Sequence, residues 1–91
     1  MAWYVYILEC SDGKRYYGCT DDLSQRLAEH QTGRARWTAS RRPVRLVYFE
    51  ACETLAQARR RERSFKNGRT RRKTLDRLIA EFPPERLAPF A

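Results

Sequence analysis

Three groups of side chains in this chain have the type and spacing to do chemistry. The first centres on Glu62. Residues 55–66, from Leu55 to Lys66, carry helical spacing. With Leu55 as the reference, Ala58 and Phe65 fall about 60° and 80° to one side and Glu62 about 20° to that side, while Lys66 and Arg59 fall about 20° and 40° to the other. Glu62 therefore lies on the apolar stripe. A carboxylate there is unfavourable by several kcal/mol unless it is paired or bound to a metal. An ion pair with Arg59 or Lys66 answers the problem. So does a metal at the edge of a cleft, and Mg²⁺ suits that arrangement because it keeps several waters and accepts one or two carboxylates plus phosphate oxygens.

The second group is Arg26 and His30, one helical turn apart. With Leu23 as the reference, Leu27 falls about 40° to one side, and His30 and Arg26 about 20° and 60° to the other. The face is half apolar. Arg26 can snorkel, or it can hold a phosphate through two parallel hydrogen bonds. His30, the chain's single histidine, reads as a hydrogen-bonded core or boundary residue. The third group is the tyrosines Tyr4, Tyr6, Tyr16 and Tyr17. Strands favour tyrosine in any case. Tyr4 and Tyr6 share one strand face, whereas Tyr16 and Tyr17 point oppositely, so one of that pair can join them. Gly18 directly after them permits close backbone approach.

The elements that must position these groups follow from pattern. Residues 3–8, Trp3 to Leu8, form an apolar and aromatic run that reads as a strand buried on both faces. Ser11-Asp12-Gly13-Lys14 is turn chemistry, and Arg15-Tyr16-Tyr17-Gly18 is the returning strand of a hairpin. Thr20, Asp21 and Asp22 are N-cap candidates for a helix running to about Gln31, which Gly33 can end. Residues 34–43 read as a basic loop. Val44 to Glu50 reads as a third strand, with Val44, Leu46 and Tyr48 on one face and Val47 and Phe49 on the other. Thr54 and Gln57 form a capping box for the helix that carries Glu62, and Asn67-Gly68 stops it. Thr70 can cap a third helix with Leu75, Leu78 and Ile79 as its core face, and Pro83-Pro84 ends it. The predicted fold is α+β, a small, largely antiparallel three-stranded sheet flanked by helices in the order β-β-α-β-α-α. A chain of 91 residues suits one domain. We expect a core at about 3–80 and a tail at 81–91, where Leu87 and Phe90 pack back.

Composition narrows the partners. The net charge is +8. Residues 1–33 carry three basic and five acidic side chains, and residues 34–91 carry sixteen and six. Such an excess attracts polyanions, and arginines interleaved with an aromatic such as Trp37 favour nucleic acid. The three cysteines, Cys10, Cys19 and Cys52, are odd in number and form no CxxC, so they read as reduced and structural. One histidine argues against a Cys/His zinc site. No apolar stretch is long enough to span a membrane and no leader pattern opens the chain, so a cytoplasmic location is expected.

Taken together, the residues resemble the GIY-YIG nucleases. Tyr4-Val5-Tyr6 and, ten residues on, Tyr16-Tyr17-Gly18 resemble the paired signature. Arg26, His30, Gly33, Trp37-Thr38, Arg42-Pro43 and Leu46-Val47-Tyr48 continue the likeness, and residues 58–66 resemble the helix bearing the family's metal-binding glutamate. The match covers residues 3 to about 80. It is strongest to the short, single-domain bacterial members, themselves similar to the catalytic domain of the Slx-type structure-specific endonucleases. The departures are Tyr4 and Val5 in place of Gly and Ile, Tyr17 in place of Ile, Cys19 where a β-branched residue is commoner, and Asn67-Gly68 where an aromatic is expected.

The resemblance implies a metal-dependent endonuclease acting on DNA, in repair or recombination. It places Mg²⁺ or Mn²⁺ on Glu62. Arg26 would clamp the scissile phosphate, Tyr6 or Tyr16 would accept a proton from the attacking water, and His30 would position Tyr6 or relay that proton. Lys66 would meet the leaving group or a backbone phosphate. Lys14, Arg34, Arg36, Trp37, Arg41, Arg42 and Arg59 would contact flanking nucleic acid. Specificity would come from substrate shape or a protein partner. The rival readings are a non-catalytic DNA- or RNA-binding module and a ribonuclease on the same scaffold.

Overall fold

The structure is a computed structural model, and it describes residues 2–90. Strand β1 (Trp3–Glu9) is the centre of a three-stranded sheet, with β2 (Arg15–Thr20) on one side and β3 (Arg45–Cys52) on the other, both antiparallel. Val5, Tyr6, Ile7 and Leu8 are at most 1% exposed. That is the burial expected of a central strand covered on both faces, and it explains the unbroken apolar run. The hairpin turn reaches its positive φ at Gly13, which sits at 82°.

The sheet divides the core in two. Val5, Ile7, Val47 and Tyr48 pack with Phe65, Leu75 and Phe82 on one face. Tyr6, Leu8, Val44 and Leu46 pack with Cys10, Leu23 and Leu27 on the other. The third strand departs from simple alternation. Ile7 pairs with Tyr48 and Leu8 with Leu46, so Val47 is an extra residue. This bulge turns Tyr48 onto the face that Val47 also joins. Alternation alone places Tyr48 with Val44 and Leu46, and a single inserted residue is enough to reverse that. The strand also starts one residue later, at Arg45, and continues to Cys52.

Helix α1 (Leu23–Gln31) starts where Asp22 accepts the Gln25 N–H at 3.0 Å, and it buries Leu23, Leu27 and His30. Residues 34–43 contain a single helical turn, α2 (Arg36–Ala39), where a continuous loop is expected from the sequence. It turns Thr38 fully inward. Helix α3 (Leu55–Lys66) has the Thr54/Gln57 capping box and buries Ala58 and Phe65 against the sheet. Helix α4 (Arg72–Glu81) follows, but Thr70 does not cap it. The Thr70 hydroxyl lies 2.9 Å from the Ser64 hydroxyl, and Arg71 occupies the cap position without a side-chain hydrogen bond. Pro83 and Pro84 end α4, and Pro84 then begins a one-turn helix, α5 (Pro84–Leu87), where its fixed φ suits the first helical position. A 3₁₀ turn (Ala88–Phe90) closes the described chain. Leu87 and Phe90 pack against the core. Cys10, Cys19 and Cys52 are free thiols. Among the described residues no helix is long and apolar enough to cross a membrane.

Candidate active site

The site is built on β1 and on the edge strand β2, where Tyr6 lies opposite Gly18 and Leu8 opposite Tyr16. Alternation sends Tyr6 and Tyr16 to the α1 face, with ring centroids 6.2 Å apart. Tyr17 goes to the other face and packs against Phe65. Gly18 is needed at its position because the Tyr6 ring lies across it. A Cβ there would sit 2.5 Å from the Tyr6 hydroxyl oxygen.

Tyr6 is part of a buried polar chain. Arg26 Nε–H donates to the Tyr6 oxygen at 3.3 Å, and Tyr6 Oη lies 3.0 Å from His30 Nε2. His30 Nδ1 lies 2.8 Å from Thr38 Oγ1, and the Thr38 hydroxyl donates to the Ala35 carbonyl at 3.3 Å. The directions follow from valence. Having given its proton to Ala35, the Thr38 hydroxyl accepts from His30 Nδ1–H. A neutral imidazole then has only a lone pair at Nε2, and Tyr6 O–H donates to it. Burial, with the positive charge of Arg26 second, lowers the His30 pKa to about 4, so the ring is neutral at pH 7. Burial likewise pushes the Tyr6 phenol well above its ordinary value. The Arg26 hydrogen bond opposes that rise, while nearby Tyr16 and Glu62 add to it.

Arg26 is half-buried and forks between two partners. Its Nη1 meets Glu29 Oε1 at 2.9 Å while its Nε serves Tyr6. Burial works against its charge, but the bonds to Glu29 and Tyr6 outweigh it and hold the guanidinium above the usual arginine range. Trp37 stands beside Tyr16, with centroids 5.7 Å apart, and is 40% exposed. The Arg41 guanidinium stacks over its ring at 4.1 Å.

Glu62 approaches from the opposite face, on α3. Its side chain is 18% exposed, and Lys66 Nζ lies 2.6 Å from Oε2. Across β2 it neighbours Cys19, whose thiol is pushed up by burial first and by the Glu62 carboxylate next. Arg59 lies beside the same pair. Tyr6, Tyr16, Arg26 and His30 therefore form one wall and Glu62 another, with the Gly18 edge between them.

The remaining basic residues divide by what they touch. Lys14, Arg34 and Arg36 are exposed. Arg41 is tied to Asp12 at 3.2 Å and to the Trp37 carbonyl at 2.7 Å. Arg42 donates to the Ala39 carbonyl at 2.9 Å and lies against Gly33. Arg41 and Arg42 thus brace their own loop. Thr38 is the member of the chain that pattern reading does not single out. It sits in an aperiodic segment, and the one cue to it is its place directly after Trp37.

A family model described as the GIY-YIG catalytic domain matches residues 2–76. The chain is 46% identical over 77 residues to the UPF0213 protein DP2720 of Desulfotalea psychrophila, covering 81% of this chain and 70% of that one. It is 40% identical over 79 residues to the UPF0213 protein lin0209 of Listeria innocua, covering 86% of each. Among solved structures it is similar to the solution NMR structure of the UPF0213 protein BH0048 from Bacillus halodurans, with TM-score 0.57 and 37% identity over 97% of this chain and 94% of that one. The chain belongs to the GIY-YIG family. Membership implies nuclease chemistry on nucleic acid, in a family that typically uses divalent metals.

Proposed function

We propose that the protein is a divalent-metal-dependent endonuclease that hydrolyses phosphodiester bonds in DNA, selects its substrate by shape, and serves repair or recombination in the cytoplasm. In this reading residues 1–91 act as one unit, and a protein partner can refine the choice of substrate. The observation that carries it is the convergence of Arg26, the Tyr6–His30 pair and Glu62 on one sheet edge.

The donor set fits Mg²⁺ or Mn²⁺ held by a single carboxylate. Glu62 is partly exposed at the cleft, and no group of three or more His, Cys, Asp or Glu is gathered among the described residues. Such a site leaves the remaining positions to water and phosphate oxygens. A metal there would stabilise the negative charge that grows on the phosphoryl oxygens and on the leaving oxygen.

The protein's own groups supply the rest. Arg26, already fixed by Glu29 and Tyr6, offers its free edge to the scissile phosphate. Water attacks phosphorus, the P–O3′ bond breaks, and the leaving 3′-oxygen takes a proton from solvent to become a hydroxyl. The water's proton passes to the Tyr6 oxygen as Tyr6 hands its own proton to His30 Nε2. The phosphate's negative charge favours the imidazolium so formed, which offsets the low basicity of the buried ring. Tyr16 is the alternative acceptor. It is the more exposed of the two, and comparing Tyr6→Phe with Tyr16→Phe separates the roles.

One observation favours the rival, a non-catalytic binding module: Lys66 already satisfies Glu62. A metal must displace that ammonium, which is half exposed and free to swing away. The test is an Mg²⁺-dependent cleavage assay on flaps, forks, four-way junctions and single strands of DNA and RNA. Cutting of branched DNA supports the proposal, RNA-only cutting makes the protein a ribonuclease, and binding without cutting supports the module.

A further inference from the structure

A second basic feature lies on the far side of α3 from Glu62. Arg60, Arg61, Arg63 and Arg69, with Ser64 and Asn67, line a groove of about 710 Å³. That is within the ~300–1,000 Å³ typical of ligand sites. No carboxylate lines it. Arg61 is fixed to Glu50 at 2.7 Å and lies over the Phe65 ring at 4.8 Å, so it is part of the floor. Arg60, Arg63 and Arg69 are exposed, and none makes an ion pair among the described residues. Elsewhere Arg15, Arg26, Arg41 and Arg45 each have a carboxylate partner, while Arg34, Arg36 and Arg59 make no ion pair among the described residues, so the groove is set apart by its concave shape as well as its charge. An ordinary solvated surface intersperses the two signs. This one concentrates a single sign in a concavity.

The chemistry specifies the occupant. Guanidinium groups match phosphate oxygens in paired hydrogen bonds, and the Asn67 amide adds a neutral donor, while the Ser64 hydroxyl is already given to the Arg61 carbonyl at 2.9 Å. No aromatic side chain lines the groove, so bases find no stacking platform there. Arg61 leans to Glu50 on β3 whereas Glu62 leans to Cys19 on β2, which puts the groove and the candidate metal ligand on opposite flanks of α3. A helix with its side chains is about 10–12 Å across. Arg59, Arg60 and Arg63, with Leu55 and Ala56, line a second, smaller depression on the same helix. Duplex DNA, with a persistence length of about 150 bp, does not wrap one helix, but a single strand does.

We propose that this groove anchors the phosphate backbone of a single-stranded tail that leaves the cleft and crosses α3. The inference rests on the nucleic-acid reading of the cleft and extends it to a substrate class, strands long enough to reach both places. Contacts are to backbone only, so sequence matters little.

The test measures binding of oligothymidylate, about 4 and about 16 nucleotides long, by the wild type and by the triple variant Arg60→Gln/Arg63→Gln/Arg69→Gln over a salt series. A single strand loses about 0.7 in log–log salt slope per phosphate contact. The triple variant should be shallower than wild type by about 2 on the long strand, and the gain in affinity from the short strand to the long one should be lost in the variant. Equal slopes for the two proteins on the long strand would overturn the proposal, as would an undiminished gain with length in the variant, which would place the tail elsewhere. Matching thermal melts establish that both proteins are folded. Mg²⁺-dependent cutting, assayed in parallel, separates the two readings: a changed slope without cutting keeps the anchor and removes the nuclease, and cutting with unchanged slopes does the reverse.

Discussion

Strand β1 faces two unlike environments. Val5 and Ile7 enter a face closed by α3 and α4, where aliphatic and aromatic side chains interlock and Tyr48 supplies a hydroxyl at the margin, bonded to Glu50. Tyr6, one residue away, enters a face where a fully buried histidine and threonine continue its hydrogen bonding inward. The first face holds the fold together by removing apolar area from water. The second holds a polar chain that is tolerable only because every member is satisfied. Damage to the first should appear as lost stability alone, and damage to the second as altered protonation and lost activity together with a smaller loss of stability.

Substitutions on the two faces should separate their roles. The largest expected effect is on the apolar face. Phe65→Ala should remove about 3–5 kcal/mol of unfolding free energy, a large part of the 5–15 kcal/mol typical of a domain. Denaturant titration measures it, and a loss below ~1 kcal/mol would mean that this face is not the structural one. On the polar face Arg26→Ala should lower single-turnover cleavage about 10²–10³-fold, the range for losing one donor to transition-state charge. Its unfolding midpoint should move far less than that of Phe65→Ala.

Acid comes next. The pKa of His30 is lowered to about 4 from 6.5, so below neutrality the unfolded chain binds a proton that the folded chain resists. The stability from the neutral ring is present above pH 6.5 and is lost as pH falls towards 4, roughly 3 kcal/mol in all. Tyr6, Tyr16, Arg26 and Glu29 are the titratable groups around it. Denaturation of wild type and His30→Asn between pH 7 and 4 should show the steeper loss in wild type. The smallest effect is expected at Thr38. Thr38→Val leaves the buried His30 Nδ1–H without an acceptor, which costs about 1–3 kcal/mol, and Thr38→Ser restores it. Imidazole ¹⁵N shifts should report Nδ1–H in wild type and Thr38→Ser and a mixed tautomer in Thr38→Val.

Much of this arrangement was legible in the sequence because it depends on period. Alternation separates Tyr16 from Tyr17, the helical step puts His30 beside Leu27, and the same step turns Glu62 inward. What was not legible depends on contacts between distant segments. The bulge at Val47 arises from pairing with β1 and leaves no local mark in a run of β-formers. Thr38 acquires its partner only when α2 folds against α1. Arg41 and Arg42 read as phosphate ligands in a basic loop, and what the sequence does not show is that they also hold backbone carbonyls of that loop, Asp12 and the Trp37 ring. Thr70 has the right chemistry for a cap but finds Ser64 nearer.

In the proposed function Glu62 serves the reaction rather than the fold or the grip on DNA. Wild type and Glu62→Ala should be compared on one branched DNA substrate, with binding measured in the absence of divalent metal and cleavage in the presence of Mg²⁺. Glu62→Ala should bind equally or slightly more tightly, because a negative charge is removed, and should lose cutting completely. Cleavage by Glu62→Ala at the wild-type rate would contradict that role.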